Sequence, residues 1–374
     1  MIEGNVPFTD GGAAATVRDL RITVTGDPGQ SERWARALRA VEGVTARVLQ
    51  APNDDESLAE LTRDDVDAVA FATPAADLPT SIRRALIAGR NVLLAGPVAL
   101  DAKQLRAIDA SARARRCLVM VDTGVRCDER FAFVRKMVCG RQALWRPLYV
   151  RSLRTGDSRH SLDELAIADI ATVLQIAGAT PAHVSAVSPR ADDETGTANV
   201  AMATLMFDGG LVARIDVSLL EPEPRHEIAV ACDGRTLMVD AYNERTPLQI
   251  QAAGKHRGPQ RSGAWAETIN EHPVSDEGER IARSAAAFVS AVRSADAAAT
   301  NLADLATAAL VWERARESMT SGGERVSIAD DDDAISRPVL RLIEGAGSGG
   351  HSMRTGRLAV IGRGEREETP LSSA

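Results

Sequence analysis

No pair of metal ligands in this chain is spaced as a metal site requires. Cys117, Cys127, Cys139 and Cys232 form no CxxC unit, and Cys117 and Cys232 fall in apolar, strand-like runs. They read as reduced core thiols. His160, His183, His226, His256, His272 and His351 are scattered, without HExxH or other paired spacing, so no metal is expected. Long apolar runs are missing too, and nothing approaches the roughly 20 residues that cross a bilayer. Met1 to Val17 lacks the basic start and apolar centre of a signal peptide. A membrane partner is therefore not expected, and the cytoplasm is the expected compartment. Lysine is almost absent: Lys103, Lys136 and Lys255 are the only ones, and arginine carries the remaining basic charge. With 44 basic against 52 acidic residues and a net charge of -8, a sequence-independent hold on nucleic acid is excluded.

What is present is enough chain for two domains. Of 374 residues, 44% are apolar, which can build a core in each. Residues 1–17 read as an N-terminal extension. Over residues 18–125 apolar strands alternate with helices: LRITVTG (Leu20–Gly26), ARVLQ (Ala46–Gln50), VDAVAFAT (Val66–Thr73), NVLLA (Asn91–Ala95) and CLVMVD (Cys117–Asp122). Helical stretches are expected near Ser31–Val41, Asp54–Leu61, Leu78–Ala88 and Asp101–Arg115. The alternation predicts a doubly wound parallel sheet, the Rossmann type of α/β fold.

From residue 126 to 330 the pattern changes. A strand at Leu148–Arg154 and a helix near Leu162–Ala177 precede two hairpins, turning at Asp208-Gly209 and Asp233-Gly234. Two more helices follow, near Glu277–Ser294 and Asn301–Ser318. This predicts an α+β domain on an open antiparallel sheet, serving substrate binding and dimerisation. Residues 331–374, rich in Gly, Ser and charge after Asp330–Asp333, read as a mobile tail in which RLAVIG (Arg357–Gly362) can form an edge strand.

The order of these elements resembles the glucose-fructose oxidoreductase / inositol dehydrogenase / MocA (Gfo/Idh/MocA) family. The resemblance rests on ITVTGDPG, VDAVAFATP, ALIAGRNVLLAGP, DTGVRCDERF, DELAIADIATVLQIAG, MFDGGLVARI and CDGRTLMVD, which follow one another at the right intervals. It implies NAD or NADP on the first domain and a sugar, cyclitol or similar polar ligand against the second. It also points to Gly26, Gly29, Gln50, Thr73, Pro74, Gly96 and Pro97 as the cofactor-side positions.

Where this sequence departs from that family, the departures fall in the site. A typical member ends its fourth strand in Glu-Lys-Pro, with the lysine holding the reacting oxygen; here Ala95, Gly96 and Pro97 stand there. The family's acid/base histidine aligns with Ala168, followed by Asp169, and Glu164 takes the early acidic position. His160, about two helical turns before Ala168, reads as a poor replacement. In the phosphate loop Pro28 replaces the second glycine and brings a ring without an N–H. The ribose-binding acid becomes Gln50 or Ala51, with Asp54 or Asp55 as substitutes only if the loop bends back. Dinucleotide binding is therefore expected to be weakened or lost, and Lys/His-assisted hydride transfer absent or weak.

The side chains left to carry chemistry are Asp169, Asp122, Arg126, Tyr149 and Arg151. Asp169 is either an acid/base facing the cleft or a helix-dipole partner. Asp122 and Arg126 follow the fifth strand, where open α/β sheets bind ligands; Arg126 either holds an anion or makes a structural salt bridge. Tyr149 and Arg151 alternate on one strand and share a face, against substrate or against a partner. The expected function is that of a diverged oxidoreductase acting on a sugar, cyclitol or secondary-metabolite intermediate. The alternative is a non-catalytic ligand sensor or a supporting subunit of an active paralogue. A small-molecule ligand and assembly through the second sheet, as a homo-oligomer or with a paralogue, are the expected partners.

Overall fold

The computed structural model describes residues 19–50, 59–72, 78–123, 127–140, 143–156, 160–189, 199–241, 248–252, 265–268, 277–295 and 301–328. Its first layer is a parallel sheet of β1 (Leu20–Gly26), β2 (Val44–Gln50), β3 (Ala68–Phe71), β4 (Asn91–Leu94) and β5 (Val119–Val121), in the order β2-β1-β3-β4-β5. Every pairing in it is parallel. β3, β4 and β5 are buried on both faces, as continuous apolar runs require. Leu20, Ile22, Val24, Ala68, Ala70, Leu93 and Met120 face one side, with Trp34 and Leu38 of α1 (Pro28–Arg39). Val69, Phe71, Val92, Leu94, Val119 and Val121 face the other. That second face is covered by α2 (Leu78–Ile87) and α3 (Ala102–Arg115).

The order of the strands reverses between β1 and β3, so the crevice at their carboxyl ends is the ligand position of such a sheet. After α4 (Glu129–Val138) the chain enters a nine-stranded sheet of β6 (Pro147–Thr155), β7 (His183–Val187), β8 (Val200–Met206), β9 (Val212–Ser218), β10 (Arg225–Cys232), β11 (Arg235–Asp240), β12 (Leu248–Ala252), β13 (Trp265–Thr268) and β14 (Val326–Ser327). Its order is β13-β12-β11-β10-β6-β9-β8-β7-β14. Both expected hairpins form, β8 with β9 and β10 with β11. The turns place Gly210 and Gly234 at φ 82° and 74°, a region that glycine enters without cost.

The sheet is mixed rather than wholly antiparallel. β6 and β9 lie side by side in parallel, because α5 (Leu162–Ala177) and two further strands separate them along the chain. One face is covered by α5 and by α7 (Leu302–Thr320), and both helices contribute to the core beneath it.

The chain also crosses back to the first layer. Helix α6 (Glu277–Ser294) lays Ile281, Ala285, Phe288 and Val289 against the α1 side of the parallel sheet. Asn301, at the start of α7, receives a hydrogen bond from Val121 N and donates one to Val121 O, at 3.0 and 2.9 Å. Its side chain thereby extends the sheet edge as a further strand would. Cys117 and Cys232 are unpaired, and burial pushes both thiols up. No helix among the described residues is long and apolar enough to cross a membrane.

Candidate functional site

The ends of β3, β4 and β5 are level. Ala95 N–H donates to Phe71 O and Asp122 N–H donates to Leu94 O, each at 2.8 Å. Gly96 and Pro97 follow at the crevice, beside Asp122, which is 7% exposed. Gly96 offers backbone only, and what faces it comes from the second layer. A Cβ built on Gly96 would stand 4.0 Å from His160 Cε1. The residue read as too distant along its helix is therefore the one that reaches the end of β4.

The start of α5 explains this placement. Ser161 is the N-cap, so the chain leaves the helix axis at His160 instead of continuing it. Ser161 and Glu164 form a capping box: Glu164 N–H donates to Ser161 Oγ at 3.2 Å, and Ser161 N–H donates to Glu164 Oε2 at 2.8 Å. The same Oε2 lies 3.6 Å from His160 Nδ1, with the histidine side chain 24% and the glutamate 11% exposed. Burial pushes the Glu164 carboxyl up, but His160 and the Ser161 amide outweigh it and hold it below the usual carboxylate range. An imidazole backed by an ionised, fixed carboxylate can accept and return a proton.

Asp169 does not face the crevice. It is fully buried between α5 and β6, where Ser152 Oγ donates to its Oδ2 at 2.9 Å and Arg154 Nη2 stands 2.6 Å from its Oδ1. Arg154 also donates to His226 Nε2 at 2.9 Å, and His226 stacks on Phe131 with ring centroids 6.0 Å apart. α5 is buried on nearly all sides, so its carboxylate had to find a cation within the core. Burial pushes the Asp169 carboxyl up, and Arg154 and His226 hold it below its ordinary value. Asp169 thus fastens α5 to the sheet and, among the described residues, is buried within that ion pair. This corrects the acid/base expectation for it.

At the start of α1, Asp27 rather than Pro28 is the residue that bears on the phosphate loop. Pro28 is the first residue of α1, where a missing N–H is tolerated. The obstacle is Asp27, the N-cap, whose Oδ1 accepts from both Gly29 N and Gln30 N at 3.0 Å. These are the amides an anion would use at a helix start. A pyrophosphate arriving there meets a carboxylate of like charge already bound to its donors. In the first turn as it stands, these two amides are already bound.

The other expected positions divide. Tyr149 and Arg151 do share a face of β6, opposite the buried Val150, Ser152 and Arg154. That face is turned away from α5, and Arg151 is ion-paired with Glu227 of β10. The structure therefore sets Asp122 and Gly96 at the ends of the neighbouring strands β5 and β4 and leaves Asp169, Tyr149 and Arg151 elsewhere. Arg126, Thr73, Pro74 and the substitutes Asp54 and Asp55 lie outside the described residues, as does the side chain of Gln50, whose backbone ends β2. His160 and Glu164 are the site residues that the sequence reading passed over. Among the described residues, no group of His, Cys, Asp and Glu is arranged to hold a metal ion.

A parallel five-stranded sheet with its ligand crevice, joined to a large mixed sheet, defines a Rossmann-type dehydrogenase fold. The solved structures that share it are dehydrogenases of the Gfo/Idh/MocA type. UDP-N-acetylglucosamine 3-dehydrogenase GnnA from Acidithiobacillus ferrooxidans superimposes over 81% of this chain and 98% of its own, at 20% identity and a TM-score of 0.66. GenD2 from gentamicin A biosynthesis, solved with NAD, covers 87% of this chain and 100% of its own, at 19% identity and a TM-score of 0.68. Levoglucosan dehydrogenase, in complex with NADH, covers 83% and 100%, at 15% identity and a TM-score of 0.68. At these identities the likeness is one of fold. No protein-family model and no curated protein matches the sequence.

Proposed function

We propose that this chain is a diverged oxidoreductase acting on a small polar metabolite: a sugar, a cyclitol or a secondary-metabolite intermediate. Its nicotinamide dinucleotide is held weakly or not at all, and Lys/His-assisted hydride transfer is absent or weak. The observation that carries this reading is the crevice itself. It keeps the strand ends and a polar lining of Asp122, His160 and Glu164, while Gly96 and Ala168 supply no reacting side chain. Among the fold neighbours are a UDP-N-acetylglucosamine 3-dehydrogenase, a levoglucosan dehydrogenase and GenD2 from gentamicin A biosynthesis, and two were solved with NAD or NADH. They favour the same ligand class here.

The test is calorimetric titration with NAD, NADH, NADP and NADPH, followed by turnover of inositols, aldoses, sugar lactones and ketosugars. Dissociation constants above about 100 μM with slow turnover of one panel member are expected. Turnover at the ordinary rate of about 10 per second would overturn the claim of weak hydride transfer. A metabolite bound with no turnover would favour the sensor or supporting-subunit reading, to which the burial of Asp169 already lends weight.

Self-association through the uncovered face of the nine-stranded sheet belongs to the same proposal. Leu148 and Tyr149 are exposed there at the start of β6. Sedimentation should show a dimer or larger species that Tyr149→Glu weakens.

A further inference from the structure

We propose that His160, positioned by Glu164, is the proton-handling residue of the crevice, exchanging a proton with a hydroxyl or carbonyl oxygen of a small polar ligand bound at the end of β4. This rests on the reading that the crevice takes such a ligand. Three features of the geometry converge on it, the first two from the approach of Gly96 and His160 and the third from Glu164.

The first is place. His160 belongs to the second layer, yet its ring lies beside Gly96, at the carboxyl end of a central strand of the first. A parallel sheet presents its ligand at that end. The second is room. Among the described residues, a Cβ on Gly96 would meet nothing closer than the His160 ring at 4.0 Å, an ordinary contact distance. The absent side chain at 96 thus leaves space against the imidazole. The third is support. Glu164 is fixed through its capping box with Ser161 and stays ionised, and it faces Nδ1 of the ring. A carboxylate so placed favours the tautomer with its proton on Nδ1, which leaves the remote ring nitrogen as the acceptor.

A histidine and a glutamate four apart at a helix start can also be a solvated pair. Such a pair would leave both side chains in water and touch nothing beyond its own helix. Here the glutamate is 11% and the histidine 24% exposed, and the ring abuts another layer. In the step itself the ligand O–H bond breaks, its electron pair stays on oxygen, and the proton bonds to the ring nitrogen remote from Glu164. The reverse transfer restores both groups. His160 is then the catalytic residue, and Glu164 is a positioning residue.

The experiment compares the full chain with His160→Gln, Glu164→Gln and Glu164→Asp, each checked for an unchanged thermal midpoint. Gln at 164 can still close the capping box, so that variant removes charge and leaves the helix start in place. Turnover is measured on inositols, aldoses and ketosugars with NAD and NADP at millimolar concentration. His160→Gln should lower kcat by about 10² to 10⁴ with KM changed by less than about threefold. Glu164→Gln should lower kcat by at least about tenfold, with partial rescue by Asp. If wild type turns over a panel member and His160→Gln keeps its kcat within about threefold, the proposal is overturned while the oxidoreductase reading stands.

If wild type is inert toward the whole panel, the oxidoreductase reading fails, and the proton-handling pair is decided by chemistry that needs no substrate. Diethylpyrocarbonate modification is then mapped by peptide mass spectrometry, with buried His226 as internal reference. Modification of His160 at least about tenfold faster than His226, and changed by Glu164→Gln, supports a reactive crevice imidazole coupled to its carboxylate. Equal rates, or no response to Glu164→Gln, overturn it.

Discussion

Removing the Asp27 carboxylate should strengthen dinucleotide binding, although Asp27 caps a helix and its loss is nominally destabilising. Its Oδ1 accepts from Gly29 N and Gln30 N, each at 3.0 Å. A phosphate drawn to those amides comes within about 4 to 5 Å of the carboxylate unless that side chain turns away. Two unit charges at 4 Å repel by about 1 kcal/mol in water and about 4 at the effective dielectric of a protein surface. Asp27 is exposed, so the lower part of that range applies, about 1 to 2 kcal/mol, or about five- to thirtyfold in Kd.

Asp27→Asn keeps the cap and removes the charge. Asp27→Gly removes both and frees the two amides, while the change of cap costs a few tenths of a kcal/mol. Affinity for NADH and NADPH should therefore rise in the order wild type, Asn, Gly, measured by titration of the purified full chain. If all three bind within about twofold of one another, or if wild type binds at low micromolar Kd, the blocked-loop reasoning is wrong.

Two further outcomes follow from the core. Burial first, and then the charge of Arg154, lower the pKa of His226 below its ordinary 6.5 against the opposing pull of Asp169, so the folded state resists its protonation. The stability this contributes is complete above pH 6.5 and is lost as the pH falls through the lower folded value; urea unfolding should weaken from pH 7 to 5, less steeply in His226→Gln, and equal slopes would refute the assignment. Asn301→Ala leaves both Val121 N–H and Val121 O without their buried partner and should cost about 2 to 4 kcal/mol in the same assay, whereas a loss below about 0.5 kcal/mol would show that the link is dispensable.

Most of the fold was legible because its signals are local. The first layer's apolar runs and both Asp-Gly hairpins lie within short stretches; apart from the helix expected near Asp54–Leu61, which lies largely outside the described residues, the observed strand and helix bounds differ from the expected ones by a few residues. The parallel β6–β9 pairing was not legible, because nothing near either strand says which neighbour a long excursion returns to. The same holds for α6, whose apolar stripe does not say which sheet it will cover. Asp169 was misjudged for a related reason. Its position in α5 is clear from the sequence, but its partners Ser152, Arg154 and His226 come from β6 and β10 and meet it only when the sheet forms.

The site was misread at two helix starts, and in both the corrective signal was present in the sequence. Asp27-Pro28 is an N-cap followed by proline at the first helical position, and it assigns the Asp27 carboxylate to the very amides a phosphate would need. Ser161-Leu162-Asp163-Glu164 is a capping box, and it ends the helix at Ser161. Counting helical turns back to His160 was therefore the wrong measure, since a residue just before the N-cap leaves the axis and takes its direction from the incoming chain. In one place the capping carboxylate closes an anion site, and in the other it sits against an imidazole at the crevice. Positions 96 and 168 are Gly and Ala, while the two helix starts place the carboxylates of Asp27 and Glu164. The chemistry of this protein should accordingly follow the residues at 27, 160 and 164 more closely than those the resemblance picks out.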